Sequence, residues 1–379
     1  STSYSETPTS TGTWDYRAYV DNGPCSAQYS GYKRVTVVND PTASVSGGGT
    51  VCWGSSRTLT CSISGGTGSY GYQWQYHNGS SWVNISGATS STYAANPSSD
   101  RGASTQYRCY ITCSGNGCNS DYSGGEWVNL YNNGTSVGQW VGNYNQYWDD
   151  CRNWGHGKQP TSSDNVTIPS GATRWPHVRY GGEVSANLTV NSSARLYVDS
   201  GGDLLAHGTF NNYGTVYHNG TSLECDDSYW YNRSGATYNQ TSGNGGQNDD
   251  GGWVHVRNYG TMNISGGTFR AYDYFYNYSG GDVNISSSGT FIVYNSTYNY
   301  DDLDINGSSA EFQCNQNFYN YASNGNVTLR NGILDINQYL YNYDNVNNSG
   351  GTHQQYYDII NYSGGVYTVA IDSKTAMER

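Results

Sequence analysis

A phrase centred on one asparagine returns through the second half of this chain. It reads Phe210-Asn211-Asn212-Tyr213, Trp230-Tyr231-Asn232-Arg233, Val256-Arg257-Asn258-Tyr259, Phe275-Tyr276-Asn277-Tyr278, Tyr298-Asn299-Tyr300, Phe318-Tyr319-Asn320-Tyr321, Leu340-Tyr341-Asn342-Tyr343 and Ile359-Ile360-Asn361-Tyr362. The steps between the asparagines are 20, 26, 19, 22, 21, 22 and 19 residues. Compositional bias enriches a residue but does not hold its spacing. A period of about 21 residues therefore predicts a solenoid of stacked coils.

Each repeat also carries a short alternating run, such as Thr261-Met262-Asn263-Ile264 or Asp282-Val283-Asn284-Ile285. Period-two alternation marks a strand with one buried face, and no helical period appears in this half. Short strands joined by Gly, Asn and Ser corners predict a parallel β-helix of about 21 residues per coil. At a buried corner the eight asparagines, Asn212, Asn232, Asn258, Asn277, Asn299, Asn320, Asn342 and Asn361, are expected to stack as a ladder. Each amide would donate to the next and to a turn carbonyl. The flanking Tyr and Phe rings are expected to stack in register, inside the coil or as an outer stripe.

Charged residues make up only 12% of the chain, while tyrosine alone numbers 39 of 379 residues. Such a composition points to an extracellular β-rich protein rather than a cytosolic enzyme. The net charge of −12 argues against nucleic acid or an anionic membrane as partner. No apolar run is long enough for a membrane-spanning helix. No signal peptide is seen, so the chain reads as a portion of a longer precursor. The nine cysteines fit no zinc spacing, which leaves disulfides in an oxidising compartment as their expected use.

Ahead of the repeats, Leu59-Thr60-Cys61-Ser62-Ile63 and Tyr72-Gln73-Trp74-Gln75-Tyr76 alternate as strands, and Tyr107 stands two residues before Cys109. The order Cys61, Trp74, Tyr107, Cys109 is that of an immunoglobulin-type sandwich with a tyrosine corner. With Gly65-Gly66-Thr67-Gly68-Ser69-Tyr70-Gly71 and Trp82-Val83-Asn84-Ile85-Ser86-Gly87-Ala88-Thr89, this region resembles the immunoglobulin-like or PKD-like repeats of secreted Bacteroidetes proteins. The resemblance implies a disulfide between Cys61 and Cys109, and from it a Cys52–Cys118 bond along the domain edge. The all-β class thus divides into an immunoglobulin-like sandwich over residues 41–132 and a β-helix over 181–372.

Residues 1–40 repeat the wording of residues 107–130 and read as the last strands of a sandwich whose first strands are missing. Two strands cannot bury a sandwich core alone, so Tyr16, Tyr19, Cys25, Val35 and Val37 are expected at a subunit contact, by strand donation or a disulfide. Residues 133–180 hold Trp140, Trp148, Trp154 and Trp175, and are expected to cap the first coil. This segment resembles those preceding β-helical repeats in gliding-type adhesins exported by the type IX route. Residues 373–379 read as a tail.

Chemistry is sparse. The acidic pairs Asp226-Asp227, Asp249-Asp250 and Asp301-Asp302 with Asp304 are local turn carboxylates, and Arg330 is the only basic residue apart from histidine between 271 and 373. Such pairs could take calcium, while neither a hydrolase nor a lyase arrangement is complete. No other cofactor is expected. The Asn-x-Ser/Thr triplets, among them Asn187, Asn263, Asn284, Asn306 and Asn326, arise readily in a chain of this composition. The expectation is therefore a non-enzymatic surface protein, a filament subunit or adhesin that self-associates. The alternative is a β-helix that binds or degrades carbohydrate, with glycans or a host surface as partner.

Overall fold

The computed structural model describes residues 3–115, 118–132, 134–226, 228–247, 253–321, 324–369 and 374–377. The chain divides into two compact units, residues 1–131 and 132–379. Both are built almost entirely of β-strands.

In the first unit, Arg57–Ser64 lies between Thr42–Ser46 and Thr92–Ala95 as a three-stranded antiparallel sheet. A second sheet runs Gly49–Val51, Glu126–Leu130, Thr105–Cys113, Tyr70–His77, Trp82–Asn84. Alternation drives the assembly: Leu59 and Cys61 from one sheet meet Trp74, Tyr107, Cys109, Ile111 and Val128 from the other, all buried. Burying each large apolar side chain contributes about 1.5–3 kcal/mol. The Tyr107 hydroxyl donates to Asp100 Oδ2 at 2.7 Å, so the tyrosine corner closes on the short helix Pro97–Asp100.

Residues 12–37 repeat the closing half of this sandwich. Gly12–Tyr16 pairs with Lys33–Val37, and Tyr19–Val20 with Gln28–Tyr29. Tyr16 faces Lys33 as Tyr107 faces Glu126, and Tyr19 faces Tyr29 as Tyr110 faces Tyr122. Even the cation–π contact is duplicated, with Arg17 3.9 Å from the Tyr29 ring centre and Arg108 4.2 Å from that of Tyr122.

The second unit is a parallel β-solenoid of about nine turns. Three strands per coil build three rows. The first row holds ten strands, from Val166–Ile168 through Phe210–Asn212 and Phe275–Asn277 to Ile359–Asn361, each in parallel register with the next. The solenoid thus begins at Val166, inside the stretch assigned to the cap, because Val166 and Ile168 already pair with Leu188 and Val190. At the other end Lys374–Met377 pairs with Thr352–Gln355, so that part of the expected tail is a strand. The remaining tail positions, 373 and 378–379, lie outside the described residues.

One core runs through the coils. Phe269, Phe291 and Phe312 stack edge-to-face at 4.9 and 5.3 Å between ring centres. Trp140, Trp148 and Trp154 close the first coil, with Trp154 4.7 Å from Trp148 and 5.0 Å from Trp140. Two of the indole nitrogens find acceptors, Trp140 donating to the Arg174 carbonyl and Trp154 to that of Trp148, at 2.7 and 2.6 Å, while Trp148 Nε1 is buried without one. Glycine matters where coils touch. Gly267 takes φ +73°, and a Cβ there would meet the Gly243 carbonyl of the preceding coil.

Candidate functional site

The strand ends of the first row turn a corner at each asparagine, and this places the eight predicted side chains in one column. Each Nδ2 donates to the next Oδ1: Asn212 to Asn232 at 2.9 Å, Asn232 to Asn258 at 2.8 Å, Asn258 to Asn277 at 2.8 Å. The chain continues from Asn277 to Asn299, Asn320, Asn342 and Asn361, each step 2.9 Å. Most rungs also donate to a carbonyl of the following coil, as Asn232 does to Thr261 at 3.0 Å and Asn342 to Val366 at 3.3 Å. Asn212 through Asn342 are buried, whereas Asn361 is exposed. A buried amide without partners would cost several kcal/mol, and here every rung satisfies its neighbour.

The asparagine's neighbours in sequence point outward and form two columns of rings. Tyr276, Tyr298, Tyr319 and Tyr341 stack at 4.7–5.0 Å with planes within 8° of parallel. Tyr259, Tyr278, Tyr300, Tyr321, Tyr343 and Tyr362 form the second column, at 4.2–6.0 Å. Within a coil the two columns touch, as Tyr276 and Tyr278 do at 5.7 Å. Stacking covers the ring faces, so a sugar cannot lie flat on them; edges and hydroxyls remain. Burial and neighbouring phenols push Tyr298 up to about 12.

Two arginines interrupt these columns. Arg257 occupies the register position between Tyr231 and Tyr276, and Arg233 follows Asn232 where Tyr259 and Tyr278 follow their asparagines. The periodicity that exposed the ladder could have singled out both, since they break a tyrosine column.

The cysteines differ from expectation at one edge of the sandwich. Cys118 bonds to Cys113, not to Cys52. The two sit five residues apart across a hairpin loop with Cα atoms 5.9 Å apart, inside disulfide range. In the duplicated hairpin Cys25 stands where Cys118 does, and Asn22 falls at the place of Cys113, so the partner Cys25 lacks is Cys113's counterpart; its thiol is free and exposed. Cys61 and Cys109 are both buried thiols of the sandwich core, close enough to perturb one another, without a bond between them. That proximity raises the Cys109 thiol above its ordinary range.

Of the residues expected at a subunit contact, Tyr19, Cys25 and Val35 are exposed, and Tyr16 and Val37 are half-buried. Among the acidic residues, Asp226 pairs with His207 at 2.6 Å, and Asp304 with Arg330 at 3.4 Å. Asp227, Asp249 and Asp250 lie outside the described residues. Asp301 and Asp302 join Asp282, with carboxylate oxygens within 4.8 Å of one another. Burial and these two charges raise Asp282's carboxyl.

Sequence reasoning passed over two buried histidines. His218 Nδ1 meets the Tyr238 hydroxyl at 2.9 Å, and that hydroxyl donates to Gln240; His353 likewise meets Tyr367 and Gln355. Burial lowers both imidazoles to about 4. Among the described residues no helix is long and apolar enough to cross a membrane.

Comparison with the curated proteins gives no match. Residues 42–131, the complete sandwich, match a family described as Domain of unknown function (DUF8696).

Proposed function

We propose that this chain is an extracellular structural protein, a subunit of a surface filament or adhesin that associates with its own copies through residues 12–37. Its role on this reading is mechanical rather than catalytic. The observation that supports it is the contrast between the two copies of one hairpin. Val128 is fully buried while its counterpart Val35 is 42% exposed, and Tyr107 is fully buried while Tyr16 is not. Tyr19 and Tyr29 add ring surface at 56% and 57% exposure. A two-stranded ribbon with an apolar face is marginal alone, and its open edge has the same backbone groups that Thr105–Cys113 uses to bind Tyr70–His77. Strand addition by a neighbouring copy satisfies both needs. Cys25, exposed at the hairpin tip, is placed to lock the contact by a disulfide between chains.

Sedimentation velocity across a concentration series tests this reading. The wild-type chain is expected to associate, and Tyr16→Asp with Val35→Asp to leave it monomeric. A wild-type chain that stays monomeric, or a double variant that associates as well as wild type, removes the reading.

A further inference from the structure

We infer that Arg233 and Arg257 form a subsite for the carboxylate or sulfate groups of an anionic polysaccharide lying along the tyrosine columns. This goes beyond the assembly reading and uses a different face of the chain. The argument begins with charge. The chain carries −12 overall, yet these two cations sit in adjacent coils within the two tyrosine columns. Neither forms an ion pair among the described residues. Asp273, just ahead of strand Phe275–Asn277, is buried and accepts from Asn295 Nδ2 at 3.0 Å, with His255 Nδ1 3.0 Å from its other carboxylate oxygen.

Both guanidiniums lie against rings rather than acids. Arg233 lies 3.6 Å from the Tyr231 ring centre, and Arg257 4.7 Å from that of Tyr229 and 5.8 Å from that of Tyr276. Cation–π contact of this kind orients the fork and leaves its charge uncompensated. Arg233 gives Nε and one Nη to Asn211 Oδ1, at 3.2 and 2.6 Å. Arg257 has a buried Nε with no acceptor, so its Nη groups are the ones left to meet a ligand. A fixed, half-buried, unneutralised fork suits bidentate binding of a carboxylate or sulfate.

The rings set the rest of the ligand. Because their faces are covered, the columns offer hydroxyls and ring edges at the coil repeat of about 4.8 Å. That is a ruled surface for a hydroxyl-rich polymer, with the arginines supplying the charge selection. Nucleic acid is disfavoured because the covered ring faces leave no platform on which bases could stack.

Binding to immobilised polygalacturonate, dextran sulfate and neutral dextran tests the proposal. The wild-type chain is expected to bind one or both anionic polymers and not neutral dextran, with affinity falling as salt rises. The carboxylated and sulfated arms decide which group is read. Arg233→Gln and Arg257→Gln are each expected to weaken binding about tenfold, and Arg257→Lys to keep only part of it. On the unmodified protein, polygalacturonate or dextran sulfate should protect Arg233 and Arg257 from phenylglyoxal, located by peptide mass spectrometry. Unchanged binding in the double variant, modification without protection, or equal binding to neutral dextran overturns the assignment.

Discussion

Replacing one rung of the asparagine ladder measures what holds the coils in register. Asn277 is buried at the middle of the column, donating to Asn299 Oδ1 at 2.9 Å and to the Asp302 carbonyl at 3.2 Å, and accepting from Asn258 at 2.8 Å. In Asn277→Ala these bonds vanish, but their partners fare differently. Asn258 keeps its bond to the Asp282 carbonyl, and the Asp302 carbonyl keeps the Val283 amide. Asn299 Oδ1 is left buried with no donor, at a cost of about 1–3 kcal/mol, and the two other lost bonds add about 1 kcal/mol each. The sum is about 3–5 kcal/mol.

Asn361→Ala is the matched control. Its Oδ1 accepts only from Asn342, which retains the Val366 carbonyl, and the site is exposed, so the loss is under about 1 kcal/mol. Asn277→Asp is expected to exceed the alanine loss, because a charged oxygen would face Asn299 Oδ1 and the Asp302 carbonyl. Guanidinium titration reports the totals. Hydrogen exchange reports where the coil opens, and Tyr278 and Tyr300 amides should lose protection first, since they bond to the Asn258 and Asn277 carbonyls. Equal losses for Asn277→Ala and Asn361→Ala would refute the ladder as a cooperative element.

The buried histidines predict a pH limit. Their pKa values are depressed to about 4 from an ordinary 6.5, so the unfolded chain takes up protons that the fold refuses. Stability is complete above pH 6.5 and falls as pH drops toward 4, by up to about 3 kcal/mol per histidine; His218→Gln with His353→Gln should flatten that slope in melts taken across this range. Oxidation of the sandwich is expected to join Cys61 to Cys109 across the sheets, raising stability by about 4 kcal/mol for a loop of that length, while buried Cys225 and Cys314 stay as thiols in peptide mapping. Ultraviolet titration should find Tyr298 ionising late, in a step near pH 12 that is absent in Tyr298→Phe.

The solenoid was legible because its coils repeat one side chain at one corner, and a hydrogen-bonded ladder needs the same group on every rung. The complete sandwich was legible in the same way, from a few large residues at fixed order. The cysteine edge was not, because Cys52 and Cys113 both stood available to Cys118 and only loop geometry chooses between them. The start of the solenoid was obscured by tryptophans, since Val166 and Ile168 form a coil strand without the asparagine that marks later ones. His218 shares the buried phase of its strand with Val216, a weak signal, whereas His353 lies in Thr352–Gln355, where no apolar residue marks the buried face. Arg257 was visible as a break in a tyrosine column, but its missing acceptor belongs to the three-dimensional packing.

Electron microscopy of the purified chain, unfixed and without reducing agent, tests the assembly most directly. The account predicts filaments with a constant axial repeat of one subunit, which dissolve into single particles when Tyr16 and Val35 are replaced by Asp. Isolated rods at every concentration would contradict it.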